Sequence, residues 1–101
     1  EMFVNVGRFK FRPMEQGAWQ ELLGSIEADI TRNARASQGF HSVSFSCPGD
    51  TELMLVWLWE SAADWQAAFP RFVPFLQEHV MPKLAQAPDR VGADIIAQVM
   101  A

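Results

Sequence analysis

The sequence predicts one α+β domain, residues 1–101, in which two helices pack on one face of a four-stranded antiparallel sheet. Three observations lead to this fold class. Segments typical of strands and of amphipathic helices follow one another in the order βαββαβ. A length of 101 residues is typical of a single domain, and no repeat or linker divides the chain. The first and third strands are apolar on both sides, which places them in the centre of the sheet.

The first strand and the first helix are predicted from composition and spacing. Val4–Phe11 is rich in valine and phenylalanine, and Arg12-Pro13 ends the strand. Apolar residues at spacings of 3, 4, 7 and 11 then form one helical stripe, made of Trp19, Leu22, Leu23, Ile26 and Ile30. Gln38-Gly39 ends this helical segment.

A hairpin is predicted to follow. Phe40–Cys47 alternates between a side with His41, Val43, Phe45 and Cys47 and a side with three serines, the pattern of a half-buried strand. The turn residues Pro48–Thr51 then reverse the chain, so Glu52–Trp59 should return antiparallel.

The second helical region is predicted in two pieces. Ser61 is placed to cap the first piece, with Asp64 three residues later, and Pro70 interrupts it. Pro74 suits the first turn of the second piece, and Pro82 should kink or end that piece. One apolar stripe runs along it through Phe72, Phe75, Leu76, His79 and Val80. A loop at Ala87–Asp89, closed by Gly92, then leads to a last short strand over Ile95–Met100.

The two central strands indicate a second copy of the chain. Their apolar side chains alternate on both faces, Phe3, Phe9 and Phe11 against Val4 and Val6, and Leu53, Leu55, Trp57 and Trp59 against Met54, Val56 and Leu58. Helices can cover only one of these faces. The other needs an apolar partner, and an identical sheet is the simplest one. We therefore expect a homodimer with an interface above ~2,000 Å² in total.

Composition excludes several classes of partner. The net charge is −4 without a basic cluster, so we expect no nucleic-acid binding. The longest apolar runs are too short to span a bilayer, and the N-terminal residues do not resemble a secretory signal. Cys47 is the only cysteine, which excludes an internal disulfide and suits a cytoplasmic protein. Cys47 and His41 do not have a recognisable metal spacing, and no metal is predicted.

Four short strings follow one another along nearly the whole chain: Phe3–Phe9, Gly39–Val43, Val56–Ser61 with Asp64-Trp65, and Phe75 with His79 four residues on. In order and spacing they resemble the antibiotic-biosynthesis monooxygenase (ABM) family of the dimeric α+β barrel superfamily. The resemblance implies a ferredoxin-like sheet that pairs with a second copy of itself. The family includes oxygenases of aromatic polyketides and quinols, haem-degrading enzymes, and members without known chemistry.

Three polar residues are the candidate catalytic groups. His79 lies on the apolar stripe of its helix, so we expect it to line an internal cavity as a base, an acid or a ligand. The alternative is a packed histidine with no chemical role. Asn5 and Arg8 interrupt an apolar central strand and should point to opposite faces, because their positions differ by three. Trp59, Trp65 and Phe75 are the candidate substrate-binding residues, although core packing is the more common role of such side chains.

Two functions are consistent with these residues. The first is a cofactor-independent monooxygenase that acts on a small aromatic, quinol-like or polyketide-like molecule in an apolar pocket between sheet and helices. The second is a small-molecule-binding or stress-related protein of the same fold without turnover.

Haem degradation is not expected. The histidine of the haem-degrading branch matches His79, but the position of its first-strand asparagine falls at Gly7. The position of its tryptophan falls near Ala68, three residues after Trp65.

Overall fold

The computed structural model describes all 101 residues. Four strands and two regular helices follow the predicted order: β1 Phe3–Lys10, α1 Gln16–Arg35, β2 Phe40–Ser46, β3 Glu52–Trp59, α2 Ala62–Ala68 and β4 Asp89–Asp94. Residues 69–83, between α2 and β4, form a series of short helical turns, called the turn segment below. None of the helices combines the length and the hydropathy that crossing a membrane requires.

The sheet confirms the predicted fold class. Its strands lie in the order β2-β3-β1-β4, and every neighbouring pair is antiparallel. The two strands that are apolar on both sides, β1 and β3, occupy the centre as expected. Their register places Asn5 opposite Trp57 and Val6 opposite Val56. Because side chains alternate along a strand, the first pair lies on one face of the sheet and the second on the other.

One face of the sheet carries the core. Its side chains on β1 and β3 are buried at every second position, against the apolar stripe of α1 and residues of α2 and the turn segment. Trp57 is the centre of an aromatic cluster, with ring centroids 5.1–6.2 Å from those of Phe40, Trp59, Trp65 and Phe72. Edge-to-face and offset contacts at these distances are favourable beyond the area that they bury. The cluster therefore fixes α2 and the turn segment to the sheet.

The other face is left uncovered in the single chain. Five aliphatic side chains of its two central strands, here called the open face, are only half-buried: Val4, Val6, Met54, Val56 and Leu58. The flanking positions of β2 are exposed serines, and Val91 on β4 is 67% exposed. The predicted two-sided apolarity of the central strands is thus confirmed.

The predicted alternation of β2 fails at its first residues. The pairing with β3 shifts between Phe40 and Ser42, so His41 is an extra residue in a bulge. Phe40 therefore packs towards Trp57 and Trp59, the role that strict alternation from Val43 would give to His41. The His41 ring instead lies outside, with Nε2 at 2.7 Å from a carboxylate oxygen of Glu60.

The predicted last strand, Ile95–Met100, is wrong. β4 spans Asp89–Asp94, and the chain leaves the sheet after the Ile95 N–H donates to the carbonyl of Met2. The apolar composition of 95–100 suggested a strand, but an edge strand is held by backbone hydrogen bonds and tolerates polar side chains. Gly92, expected in a loop, lies inside β4 opposite Asn5. A Cβ at this position would come within 2.4 Å of Phe3 Cζ, which explains why the residue is a glycine.

The predicted division of the second helical region is confirmed. The Ser61 hydroxyl accepts a hydrogen bond from the Asp64 N–H at 3.1 Å, and α2 ends at Ala68, before Pro70. The turn segment contains a π-helical turn at Leu76–Val80, which the sequence did not indicate. Pro82 falls in its last turn, at Met81–Lys83.

Candidate functional site

An apolar cavity lies between the core face of the sheet, α1 and the turn segment. The space between its lining side chains, counted together with the open solvent at its mouth, is about 500 Å³. Thirteen of its fifteen lining residues are hydrophobic, and seven of those are aromatic: Phe9, Phe11, Trp57, Trp65, Phe69, Phe72 and Phe75. Such walls favour a flat, largely apolar ligand and exclude water from it.

Two charged residues, Asp29 and Arg90, complete the lining. The Asp29 side chain is 9% exposed, and Oδ1 accepts hydrogen bonds from Arg32 Nη2 at 2.8 Å and from Asn33 Nδ2 at 3.1 Å. Its partners lie three and four residues further along α1, so the pairs follow from helical spacing. Asp29 therefore presents a compensated carboxylate to one part of the cavity.

Arg90 projects from β4 towards the aromatic wall. Its Cζ lies 5.0 Å from the ring centroid of Phe69, 5.7 Å from that of Phe9 and 5.9 Å from that of Trp65. Although the residue as a whole is exposed, these rings bury its guanidinium, and this desolvation lowers the pKa of Arg90 below its usual value. Arg90 makes no ion pair and donates no hydrogen bond within the chain. It still carries its charge at neutral pH, since arginine does not deprotonate in proteins.

Three unpaired polar atoms lie on the sheet beneath the helices, and they belong to Asn5, Trp57 and Trp59. Asn5 is 4% exposed and its Oδ1 is buried without a hydrogen-bond partner. Trp57, its cross-strand partner, is 2% exposed with an equally unpaired Nε1. Unpaired buried groups are rare because each costs about 1–3 kcal/mol. A ligand hydroxyl or carbonyl is one way to satisfy such a pair.

The cavity includes two of the three predicted substrate-binding residues. Trp65 and Phe75 line it. Trp59 does not: it is fully buried behind the wall, stacked on Trp57 at 5.7 Å between ring centroids. Of the candidate catalytic residues, only Asn5 lies on the core face, next to the lining residue Trp57.

The expected position of His79 is wrong. Its side chain is 49% exposed and lines an external groove beside Glu21 and Lys83, with Nε2 at 3.8 Å from Glu78. The prediction assumed 3.6 residues per turn, whereas the π-helical turn inserts an extra residue and shifts the inward position to Val80. Only Phe75 connects the two sites, because it lines both the groove and the cavity, and its ring lies 4.7 Å from that of His79.

Arg8 lies away from the cavity. It points to the opposite face from Asn5, as predicted from their spacing, and its side chain is 58% exposed. Its nearest acid is Glu52 on β3, at 3.7 Å between Nη2 and Oε2. Arg8 thus lies at the border of the open face, on the side of the sheet opposite to the cavity.

Sequence reasoning missed Arg90, Asp29 and the cavity-lining role of Trp57. Arg90 was assigned to a loop because the last strand was placed six residues too late. Asp29 was not among the candidate residues, yet its spacing of three from Ile26 places it on the apolar stripe of α1. That spacing was the available signal.

The chain offers no metal centre. No three histidine, cysteine, aspartate or glutamate side chains lie close enough together to hold a metal ion. The cavity walls also lack a histidine or a cysteine that could act as an axial ligand.

Comparisons with known proteins locate the fold. No family model and no curated protein match the sequence. Solved structures match it over nearly its whole length. The monooxygenase ActVA-Orf6 of Streptomyces coelicolor, solved with the ligand nanaomycin D, has a TM-score of 0.76 and 20% identity, covering 98% of this chain and 91% of that one.

Two further structures agree. SnoaB, a cofactor-independent oxygenase from Streptomyces nogalater, has a TM-score of 0.72 and 12% identity, covering 98% of this chain and 97% of that one. A dimeric ferredoxin-like protein from an uncultured marine organism has a TM-score of 0.73 and 13% identity, covering 99% and 92%. The chain has the fold of the antibiotic-biosynthesis monooxygenases. The resemblance seen in the sequence is therefore confirmed at the level of the fold.

Proposed function

We propose that this protein is a cofactor-independent oxygenase that acts on a small aromatic, quinol-like or polyketide-like molecule. The observation that carries the proposal is the cavity itself, whose lining is almost entirely apolar and largely aromatic and which is open to solvent. The fold is shared with two structures described as oxygenases, one of which was solved with the ligand nanaomycin D. A cytoplasmic location is part of the proposal, because the single Cys47 suits a reducing compartment.

The proposed oxygenation requires few catalytic side chains. A CH₂ group flanked by aromatic carbonyl and hydroxyl systems loses a proton to give a delocalised carbanion. This carbanion transfers electrons to O₂ and forms a C–O bond. Loss of water from the resulting peroxide leaves a carbonyl, so that CH₂ and O₂ give C=O and H₂O. The protein orients the substrate, excludes bulk water and stabilises the developing oxyanion.

The residues of the core face are suited to these tasks. Trp65 and Phe75 stack on the rings of the substrate, and the unpaired Trp57 Nε1 donates to an oxygen atom of the substrate as negative charge develops there. Asn5 Oδ1 accepts from a neighbouring hydroxyl. Asp29 is the only carboxylate in the cavity wall and is the proposed acceptor of the proton.

Oxygen consumption tests the proposal. Purified protein is incubated with a panel of anthrones and hydroquinones, and O₂ uptake is followed with an electrode while quinone absorbance is recorded. We expect uptake above the spontaneous rate for at least one anthrone, with one O₂ consumed per quinone formed. Asp29→Asn should abolish the excess rate. Absence of excess uptake over the whole panel refutes the oxygenase.

The alternative is a binding protein of the same fold without turnover. The hydrogen bonds that Asp29 accepts from Arg32 and Asn33 favour it, since both already occupy Oδ1. Calorimetric binding of an anthrone without any O₂ uptake above background would establish this alternative.

A homodimer formed through the open face completes the proposal. The accessible surface of the chain is 6370 Å², whereas a monomer of 11.4 kDa typically exposes about 5,800 Å². The excess agrees with an uncovered apolar face and with the exposed side chains of Ile96, Val99 and Met100. The related marine protein is described as dimeric. Light scattering at low micromolar concentration should give twice the chain mass.

The proposed function does not include haem degradation. Gly7 carries no amide at the position of the missing asparagine, Ala68 is packed in the core, and His79 lies in the external groove. Haemin with ascorbate in air should therefore leave the Soret band intact, since neither a distal amide nor a distal indole is present to guide oxygen. Conversion to a tetrapyrrole product would show that the enzyme class is wrong.

A further inference from the structure

We propose that Arg90 forms an anion-binding subsite at the mouth of the cavity and selects aromatic ligands that carry a carboxylate at their solvent-facing end. The inference rests on the proposed function, because it deepens the substrate class of the same cavity. Three observations carry it: the position of Arg90, its lack of a partner, and the distribution of charge in the cavity wall.

The position of Arg90 links the aromatic wall to the solvent. It belongs to the edge strand β4, so its backbone lies at the rim of the sheet. Its guanidinium extends over Phe69, Phe9 and Trp65, all of which line the cavity. No group of the chain accepts a hydrogen bond from the guanidinium or pairs with it, so its N–H groups have no partner within the protein. A ligand that stacks on this wall would therefore bring its outer end to these donors.

The space under Arg90 is kept free by a glycine. Gly7 faces it from the neighbouring strand, opposite Arg90 in the register. A Cβ at this position would lie 3.8 Å from Arg90 Nη1 and 3.2 Å from Phe9 Cε1. The distance to Arg90 is an ordinary contact, whereas the distance to Phe9 is tight, so a side chain here would press on the Phe9 ring over which the guanidinium lies.

The charge of Arg90 is uncompensated. No carboxylate of the chain lies within ion-pair distance, and no carbonyl accepts from it. Arg32, which also lies near the cavity, is paired with Asp29. Desolvation without a partner is unfavourable, and the lowered pKa of Arg90 reflects that cost. A planar carboxylate would remove it through two parallel hydrogen bonds, the geometry that arginine prefers.

Asp29, the other charged residue of the cavity wall, determines which end of the ligand enters the cavity first. An anionic group placed beside Asp29 would be repelled, whereas the same group at Arg90 would be attracted and partly hydrated. The aromatic body then enters the cavity first, with its reacting atoms near Trp57 and Asp29 and its carboxylate at the mouth.

Calorimetric titration with a matched pair of probes tests the subsite. The probes are 2-naphthoate and 2-naphthamide, which share size and planarity but differ in charge. Wild-type protein should bind the carboxylate about 10-fold more tightly than the amide. Arg90→Met should remove this preference by weakening the carboxylate about 10-fold, with the amide changed less than about 3-fold. Arg90→Lys should retain part of it, because it keeps the charge but not the planar fork.

Arg35→Met is the matched control, since Arg35 is an exposed arginine in the last turn of α1 without an ion pair. It should leave both affinities unchanged, and circular dichroism should show that every variant is folded. Equal wild-type affinity for the two probes overturns the subsite while the aromatic cavity stands. Equal weakening of both probes by Arg90→Met also overturns it and makes Arg90 a wall residue. Failure of both probes to bind refutes the cavity proposal together with the subsite.

Discussion

The two faces of one sheet are apolar in different ways. The core face is aromatic and closely packed, with a few buried polar side chains. The open face is aliphatic and is bordered by serines and by the Arg8–Glu52 pair. Aromatic rings of different orientation leave gaps, and the cavity lies in such a gap. Aliphatic side chains on a twisted sheet form an even surface that suits a second sheet. The difference agrees with the proposals that one face binds a ligand and that the other face binds a second copy.

The largest effect should come from a charge in the centre of the open face. Val56 lies on β3 opposite Val6, at the middle of the aliphatic surface. Val56→Asp would bury an unpaired carboxylate in the proposed interface, which costs several kcal/mol. We expect a monomer at low micromolar concentration by light scattering. Ala28→Asp, on the exposed side of α1, is the control and should remain a dimer. A dimeric Val56→Asp would place the interface elsewhere.

A substitution on the core face should instead lower the free energy of unfolding. Trp57 contacts four other aromatic rings, and Trp57→Ala should lower the free energy of unfolding by about 3–5 kcal/mol, measured by urea denaturation. Its neighbour Leu58 points to the open face. Leu58→Ala should mainly raise the dimer dissociation constant. An unchanged dimer dissociation constant in Leu58→Ala would contradict the proposed role of the open face. Equal losses of unfolding free energy in the two variants, measured on the monomers, would contradict the assignment of the core to the other face.

A third test concerns the unpaired amide beneath the cavity. Asn5→Leu keeps a similar volume and removes the buried Oδ1 that lacks a partner. Ligand-free protein should therefore gain about 1 kcal/mol of stability, because the desolvated amide is no longer present. Turnover or ligand affinity should fall in the same variant. Asn5→Asp is the counterpart and should destabilise the protein. A loss of stability in Asn5→Leu would indicate that the amide is satisfied after all.

The sequence predicted the fold well because its signals were local and redundant. Alternation on both sides of Val4–Phe11 and Glu52–Trp59 determined which strands are central, and Ser61 with Pro70 determined where α2 begins and ends. The last strand was misplaced because it is held by pairing with β1 and not by its own composition. Such pairing is a long-range property that local patterns do not contain.

The site was less predictable for the same physical reason. Trp65 and Phe75 were found because they belong to helical stripes, whereas Arg90 depends on which strand lies at the edge. The misplacement of His79 has a specific cause. A single π-helical turn changes the angular position of every later side chain around the helix axis. No residue of Leu76–Val80 indicates such a turn in the sequence.

The smallest effect is predicted for His79, the strongest candidate of the sequence. Its imidazole is half-exposed in the external groove, and Phe75 separates it from the cavity. A general base must come within hydrogen-bond reach of the proton that it removes, directly or through one water. His79→Ala should therefore change kcat/KM for the best anthrone by less than about 3-fold, below the ~10²-fold of a lost acid-base group. Phe75→Ala is the informative companion, because removal of this ring would open the cavity to the groove. A loss of ~10²-fold in His79→Ala alone would mean that Phe75 moves during turnover and that the imidazole reaches the substrate.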